Sequence, residues 1–273
     1  IDAMGGDAGV AVTVPAVLEV AAERSNVNFQ LVGLQSELPQ TDTLPHNVSI
    51  VPASETVLMD ESPRAALRHK PDSSMRIALQ LVQSKEASVC VSAGNTGALM
   101  SLSLLMIKTL KGIKRPAICA TAPTYHGKVS LLDLGANVEC NAQMLHQFAV
   151  IATMKCRVLN GIDEPIVKLL NIGEEKNKGT PKLRLAADLL AADTNINYQG
   201  FIEGDNLLND TVDVIVCDGF AGNIALKTAE GVAKLAITAA TDVIQNNPSL
   251  RLVSKLFKKS LNEYRDKLNP APH

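Results

Sequence analysis

The sequence contains no tryptophan, and aromatic residues make up only 3% of its 273 positions. The core must therefore be built from Val, Leu, Ile, Ala and Met, a composition typical of parallel sheets that are covered by helices. A hydrophobic content of 46% is sufficient for one large core or two small ones. The composition predicts an α/β protein.

Three further absences exclude whole classes of function. The formal net charge is −2, whereas general affinity for nucleic acid requires a strongly basic face. No segment reaches the ~18 apolar residues of a membrane span, and no basic-then-apolar signal opens the chain. The five cysteines form no CxxC pair and have no metal-ligand spacing to histidine. We expect a cytoplasmic protein in a reducing compartment, without metal or cofactor, whose thiols act as small hydrophobic groups.

Apolar runs of strand length alternate with segments of helical period along the chain. This alternation implies right-handed βαβ crossovers, a mostly parallel sheet with helices on both faces, and ligands beyond the carboxyl ends of the strands. We treat residues 1–273 as a single α/β domain. The predicted strands are 28–33, 48–52, 87–92, 116–121, 128–134, 166–172 and 211–217. The predicted helices are 14–24, 74–85, 96–108, 141–155, 181–192 and 223–245.

Two glycine-rich turns, 92–98 and 217–223, each connect a predicted strand to a predicted helix. Such a turn directs unpaired N–H groups and the positive end of a helix at one point, which suits phosphate or a developing oxyanion. Asn95 and Thr96 add side-chain donors to the first turn. In the second turn, the alternative for Asn223 is a structural role as a helix N-cap.

Three other segments place polar groups directly after strands. In segment 2–7, Gly5 and Gly6 let the backbone approach a ligand closely, and the alternative is a tight turn with Asp7 near a helix start. Asp133 lies in an apolar run and must be hydrogen-bonded or paired, because a buried lone carboxylate is costly. It could orient a neighbouring catalytic group. Segment 171–179 is a charged turn with Lys178, for which a solvated loop is the alternative.

Six segments carry recognisable motifs: 2–7, 73–76, 91–98, 132–137, 171–175 and 216–220. In order and spacing they resemble the bacterial phosphate acyltransferases of phospholipid synthesis (PlsX type), and the resemblance extends over essentially the whole chain. It implies a fold similar to phosphate acetyltransferases and to isocitrate and isopropylmalate dehydrogenases. It also implies conversion of acylated acyl carrier protein and inorganic phosphate into acyl phosphate and free carrier.

The resemblance also suggests roles for the site residues. Lys178 is expected to hold phosphate or meet the leaving thiolate, Asn223 to donate to the oxyanion, and Asp218 to orient Lys178 or a backbone turn. A thiol leaving group has a pKa of about 8.5, so neither a strong general acid nor a nucleophilic cysteine is required. The expected contacts to phosphate and the acyl carbonyl are Gly5, Gly6, Asp7, Ser92, Gly94, Asn95, Thr96 and Gly97.

The predicted partners follow from charge and from the resemblance. Acyl carrier protein is acidic, so a basic patch should steer it. Segment 248–268 has an apolar stripe flanked by Lys and Arg, which is typical of a helix that lies on an anionic membrane surface. At this surface the enzyme would deliver acyl phosphate to a membrane acyltransferase. The alternative is a helix that packs in the core or in a dimer interface. A homodimer is expected, with helix 99–107 or 223–245 at its seam. For Lys108 and Lys111, the alternative is that they complement the negative end of a helix dipole at its C-terminus. The two candidate basic patches are Arg64, Arg68, Lys70 and Arg76, or Lys108, Lys111, Lys114 and Arg115.

Family members continue beyond the point where this chain stops at His273, and no site group is assigned from that segment. The sequence leaves three rival functions. A decarboxylating dehydrogenase is disfavoured, because the chain lacks both a G-x-G-x-x-G turn and paired metal-binding aspartates. A phosphate acetyl- or butyryltransferase that uses acyl-CoA is closer in chemistry. A non-catalytic membrane-surface scaffold that binds acyl ligands is the third, and the convergent donors argue against it.

Overall fold

A computed structural model describes residues 1–125, 127–209 and 211–246. The predicted amphipathic segment 248–268 lies outside these residues. The chain forms two compact units, the first comprising residues 1–116 and the second beginning at Ala117. Each unit has its own sheet and its own hydrophobic clusters.

The first unit is built around two parallel strands, β1 and β2. Asp2 extends this pairing, because it forms parallel bridges to Val32 on β1 and to Ser92. Leu31 and Val32 are fully buried in the sheet, as are Met75 and Leu102 on the helices. The strands are Phe29–Leu34 (β1) and Val48–Ala53 (β2), with a short 3₁₀ turn at Thr41–Thr43 between them. The helices are Val10–Glu23 (α1), Pro63–His69 (α2), Ser74–Gln83 (α3) and Thr96–Met106 (α4).

Two elements of this unit differ from the prediction. Segment 87–92 is not a full strand, because its neighbour is only the short segment at Asp2, which leaves one bridge at Ser92. Helix α2 was missed, since its seven residues are too few for a clear periodic signal; Ser62 caps it and Pro63 begins it. Helix α4 buries only one stripe of its surface, and Leu105 is 58% exposed.

The second unit contains a five-stranded sheet in the order β3-β4-β7-β5-β6. Every neighbouring pair is parallel except β3 with β4, which is an antiparallel edge pair. Strand β6 was missed, because its sequence, with Asn197, Gln199 and Gly200, lacks a continuous apolar run. The strands are Cys119–Pro123 (β3), Lys128–Leu132 (β4), Ile166–Leu170 (β5), Asn197–Ile202 (β6) and Val214–Val216 (β7). The helices are Ala142–Lys155 (α5), Pro181–Ala192 (α6) and Gly219–Asn246 (α7), with single turns at Cys156–Asn160 and Gly204–Asn206.

Successive residues of β7 face opposite sides of this sheet, as strand geometry requires. Val214 and Val216 pack with Phe148 of α5 and with α6, whereas Ile215 belongs to a second cluster that includes Leu226 of α7. Helices therefore lie on both faces of a mostly parallel sheet, which confirms the predicted fold class. No helix within the described ranges is both long and apolar enough to cross a membrane.

Candidate active site

In the first unit, segment 2–7 and the glycine-rich turn 92–98 pack against each other. The Asp2 carboxylate, only 2% exposed, accepts hydrogen bonds from Ser74 Oγ (2.6 Å) and Ser92 Oγ (2.6 Å). Ser92 Oγ in turn accepts one from Gly94 N (3.1 Å). A Cβ on Gly5 would lie 2.7 Å from Gly94 N, so only glycine permits this approach. The chain from Asp2 to Gly94 therefore holds the turn that precedes α4.

The side chain of Asn95 is used entirely within the protein. Its Oδ1 accepts a hydrogen bond from Ala98 N (3.0 Å), which makes Asn95 the N-cap of α4. Its Nδ2 donates to three main-chain carbonyls, those of Leu58 (3.2 Å), Met59 (2.9 Å) and Glu61 (2.8 Å). These bonds attach the loop before α2 to the start of α4.

These contacts give Ser92 and Asn95 bonds within the protein. The polar side-chain atoms of both residues are bonded to Asp2, to the backbone or to the start of α4. The contacts of both residues to substrate stay predictions.

The exposed donors at this turn are Thr96 and Gly97. The first N–H groups of a helix lack partners inside the helix, and that of Ala98 is taken by Asn95. Within the described chain, no hydrogen bond occupies the main-chain N–H groups of Thr96 and Gly97 or the Thr96 hydroxyl. These three donors are therefore available to an anion. A Cβ on Gly97 would lie 2.9 Å from Pro63 Cγ, so α2 packs tightly beside these donors. Asp7 is exposed and lies outside α1, whose N-cap is Gly9.

In the second unit, the carboxyl ends of β4, β5 and β7 carry the predicted site residues. Asp133, fully buried after β4, accepts hydrogen bonds from Ile118 N (3.0 Å), Ala136 N (3.0 Å), Asn137 N (2.6 Å) and Asn137 Nδ2 (2.8 Å). The prediction that this carboxylate must be hydrogen-bonded is confirmed. Asn137 O then accepts from Gly219 N (2.8 Å), which connects the turn after β4 to the start of α7.

Asp218 pairs with a lysine that the sequence analysis missed. Its Oδ2 lies 2.8 Å from Lys182 Nζ, and its Oδ1 accepts from Ala221 N (3.0 Å) at the start of α7. Of the two predicted roles of Asp218, the contact to a backbone turn is observed, while its carboxylate pairs with Lys182. A local signal could have identified Lys182 as a site residue. Thr180 caps α6, so Lys182 lies in the first turn of a helix that follows strand β5.

Asn223 and Lys178 are both exposed, and they follow neighbouring parallel strands, β7 and β5. Asn223 is not an N-cap, because α7 begins at Gly219 and Asn223 lies in its second turn. Gly135, with φ +122°, faces it: a Cβ there would lie 3.6 Å from Asn223 Cγ. The aliphatic part of the Lys178 side chain packs against Gly173, where a Cβ would lie 2.9 Å from Lys178 Cγ.

The thiols close to this edge are poorly suited to nucleophilic chemistry. Burial raises the pKa of Cys140 to about 11 and raises that of Cys217 further, while the nearby Asp133 and Asp218 carboxylates act in the same direction. Burial also raises the pKa of Cys90 and Cys119. The described residues contain no group of three or more His, Cys, Asp or Glu side chains that could hold a metal ion.

We expect Cys140 to react slowly with iodoacetamide in the folded protein. With a pKa of about 11, the thiolate fraction at pH 7.5 is on the order of one in a few thousand. Because the pKa is raised, labelling should accelerate only as the pH approaches 11. Mass spectrometry of labelled peptides, with urea-unfolded protein as the reference, measures the rate. Labelling at neutral pH as fast as in the unfolded chain would contradict this assignment.

Solved structures place this fold in one class. The EutD phosphotransacetylase from Staphylococcus aureus matches with a TM-score of 0.60 and 20% identity, covering 81% of this chain and 79% of that one. A branched-chain phosphotransacylase from Enterococcus faecalis V583 matches with a TM-score of 0.58 and 18% identity, over 80% and 79%. The fold is that of the phosphotransacylases.

Sequence comparison identifies the family. The model of a family described as "Fatty acid synthesis protein" matches residues 1–273. A phosphate acyltransferase of Pseudomonas fluorescens (strain Pf0-1) is 48% identical over 278 residues, covering 100% of this chain and 82% of that protein. One of Nitrosococcus oceani is 45% identical, covering 99% and 81%. The chain therefore belongs to the fatty acid synthesis protein family and is, by that membership, an enzyme of the phosphate acyltransferase group.

Proposed function

We propose that this enzyme transfers an acyl group from acyl carrier protein to inorganic phosphate, for phospholipid synthesis. The observation that carries this proposal is the start of α4, where Thr96 and Gly97 present exposed donors on a turn held by Asp2 and Asn95. Rigid donors at a helix N-terminus suit a tetrahedral dianion. Membership of the phosphate acyltransferase group supports phosphate as the acceptor.

In this proposal the start of α4 binds phosphate. Phosphate accepts hydrogen bonds from the Thr96 and Gly97 amides and from the Thr96 hydroxyl. Gly5, Gly6 and Gly94 allow the two turns to pack closely, while the exposed Asp7 stays a predicted contact. The donors are fixed before phosphate binds, so little ordering is needed when it arrives.

The groups proposed to act on the thioester follow β5 and β7. A phosphate oxygen attacks the carbonyl carbon, the C–S bond then breaks, and the products are acyl phosphate and the carrier thiol, which takes up the proton that phosphate loses. We assign the oxyanion to the Asn223 amide, a contact worth about 3–4 kcal/mol in the transition state. Lys178 stabilises the leaving thiolate, and Asp218 keeps the start of α7 in place through Ala221 N.

Substitution of Asn223 or Lys178 tests these roles. We expect Asn223→Ala to lower kcat about 10²- to 10³-fold, because the developing oxyanion loses a donor. We expect Lys178→Ala to lower kcat about tenfold or more, because the thiolate loses its cation. Acyl phosphate, trapped as hydroxamate, is the product to measure.

The matched controls are Thr228→Ala on α7 and Lys176→Ala in the loop of Lys178, both exposed, with rates close to wild type expected. Near-normal rates for Asn223→Ala and Lys178→Ala in folded protein would remove both residues from the mechanism.

Comparing acyl carrier protein with coenzyme A as the acyl donor decides between the proposed activity and a phosphate acetyl- or butyryltransferase. The absence of any phosphate-dependent thioester loss would favour the non-catalytic scaffold.

The proposed partners are acyl carrier protein, a second copy of this chain, and the membrane with its acyltransferase. Arg64 and Arg68 are exposed on α2 and offer positive charge to an acidic carrier. Leu105 on α4 and Leu235 on α7 are exposed apolar residues that suit a dimer seam. Light scattering tests the dimer. Liposome flotation of Phe257→Glu against wild type tests the peripheral membrane contact.

A further inference from the structure

Asn171, directly after β5, has a buried side-chain amide without a hydrogen-bond partner. The residue is 7% exposed, and neither Oδ1 nor Nδ2 is paired within the described chain. Its main-chain N–H is satisfied, because it donates to Ile202 O (2.9 Å). Buried polar groups are nearly always paired, since burial removes the hydrogen bonds that water supplied. An unpaired amide at the carboxyl end of a parallel strand is therefore a candidate binding group.

Loop 173–179 lies directly against this amide. Gly179 has φ +81°, and a Cβ there would collide with Asn171 Oδ1 and lie 3.0 Å from Nδ2. At the other end of the loop, a Cβ on Gly173 would lie 2.8 Å from Glu175 Oε2. The residues between these two glycines are exposed. The covering loop is therefore short, solvated and bounded by the residue type with the most backbone freedom.

The chemistry of the amide selects the kind of ligand. A carboxylate only accepts hydrogen bonds and an ammonium group only donates them, so each would leave half of an asparagine amide unpaired. A secondary amide has one donor and one acceptor, and it can satisfy both Oδ1 and Nδ2 of Asn171. The acyl group of the proposed substrate is carried on a phosphopantetheine arm, which contains two secondary amides.

We propose that Asn171 binds an amide of this pantetheine arm when loop 173–179 moves away from it. The inference rests on the proposed function and adds a residue that recognises the thioester substrate. Loop 173–179 also carries Lys178, which is assigned to the thiolate at the end of the same arm. Recognition of the arm and stabilisation of the leaving group thus involve one segment of the chain.

The test compares thioesters of one acyl group on three thiols: pantetheine with two amides, N-acetylcysteamine with one, and propanethiol with none. For Asn171→Ala we expect kcat/KM for the pantetheine thioester to fall roughly 10- to 100-fold, as for the loss of a paired polar contact. For the propanethiol thioester we expect the same rate as wild type. Asn177→Ala, an exposed asparagine of the same loop, is the control and should leave all three rates unchanged.

An equal loss with all three thioesters, or no loss with any, would overturn the inference. Asn171→Leu, which keeps the approximate side-chain size and places no charge in the buried site, replaces the alanine variant if that fails to fold. Thermal unfolding provides a second readout, because removal of an unpaired buried amide should not lower Tm, whereas loss of a structural amide bonded through a buried water would. If wild type transfers acyl groups from no thioester to phosphate, the proposed function fails. Calorimetric titration of pantetheine into wild type and into Asn171→Ala then tests the inference separately. Weaker binding by Asn171→Ala would support the inference, and equal binding would overturn it.

Discussion

Replacing Gly222 with alanine is expected to destabilise the protein by about 3 kcal/mol or more, at the upper end of overpacking effects. The added Cβ would collide with the main-chain carbonyl oxygen of Asp133 and would lie 2.8 Å from Cys217 Sγ. The Asp133 backbone cannot shift easily, because the buried carboxylate of the same residue holds four N–H groups. The clash therefore separates α7 from the turn after β4.

Gly231→Ala on the same helix is the matched control. A Cβ at Gly231 would meet nothing within 4 Å, so only helix propensity changes, and alanine should stabilise the protein by roughly 0.5–1 kcal/mol. Urea unfolding monitored by circular dichroism measures both variants. Equal stabilities for the two alanine variants would show that the contact between Gly222 and Asp133 is absent in solution.

Replacement of Asp2 should have the largest effect on phosphate binding. Asp2→Ala leaves the Ser74 and Ser92 hydroxyls without their acceptor in a buried site, a loss of about 1–3 kcal/mol for each unsatisfied group. Ser92 then no longer holds Gly94, and the first turn of α4 loses its rigid support. We expect the KM for phosphate to rise at least about tenfold, equivalent to roughly 1.4 kcal/mol, with Tm also reduced.

Asp2→Asn separates the two effects, because it keeps the size of the side chain and one oxygen acceptor. It should fold better than Asp2→Ala and still raise the KM for phosphate. Asp42→Asn, on the exposed 3₁₀ turn, is the control and should change neither quantity. An unchanged phosphate KM in folded Asp2→Asn would refute the proposed link between Asp2 and the anion-binding turn.

Local signals predicted the regular elements well where those signals were strong. The bounds of α6 match the predicted 181–192, because Thr180 and Pro181 define its start and a clear apolar period follows. The start of α7 was placed four residues late, at Asn223 instead of Gly219. Glycines at 219 and 222 are typical of a turn, but here each packs against backbone that a Cβ would strike, Gly219 against Asn137 and Gly222 against Asp133.

The sequence by itself determined the α/β class, the order of the motifs and the family, because hydrophobic period and motif spacing are local properties of the chain. Tertiary structure decided what the polar side chains do. Asp218 pairs with Lys182 and not with Lys178, and Asn95 holds residues 34 to 37 positions away in the chain. These choices depend on which donors and acceptors packing brings within about 3 Å, and a linear pattern carries no such information.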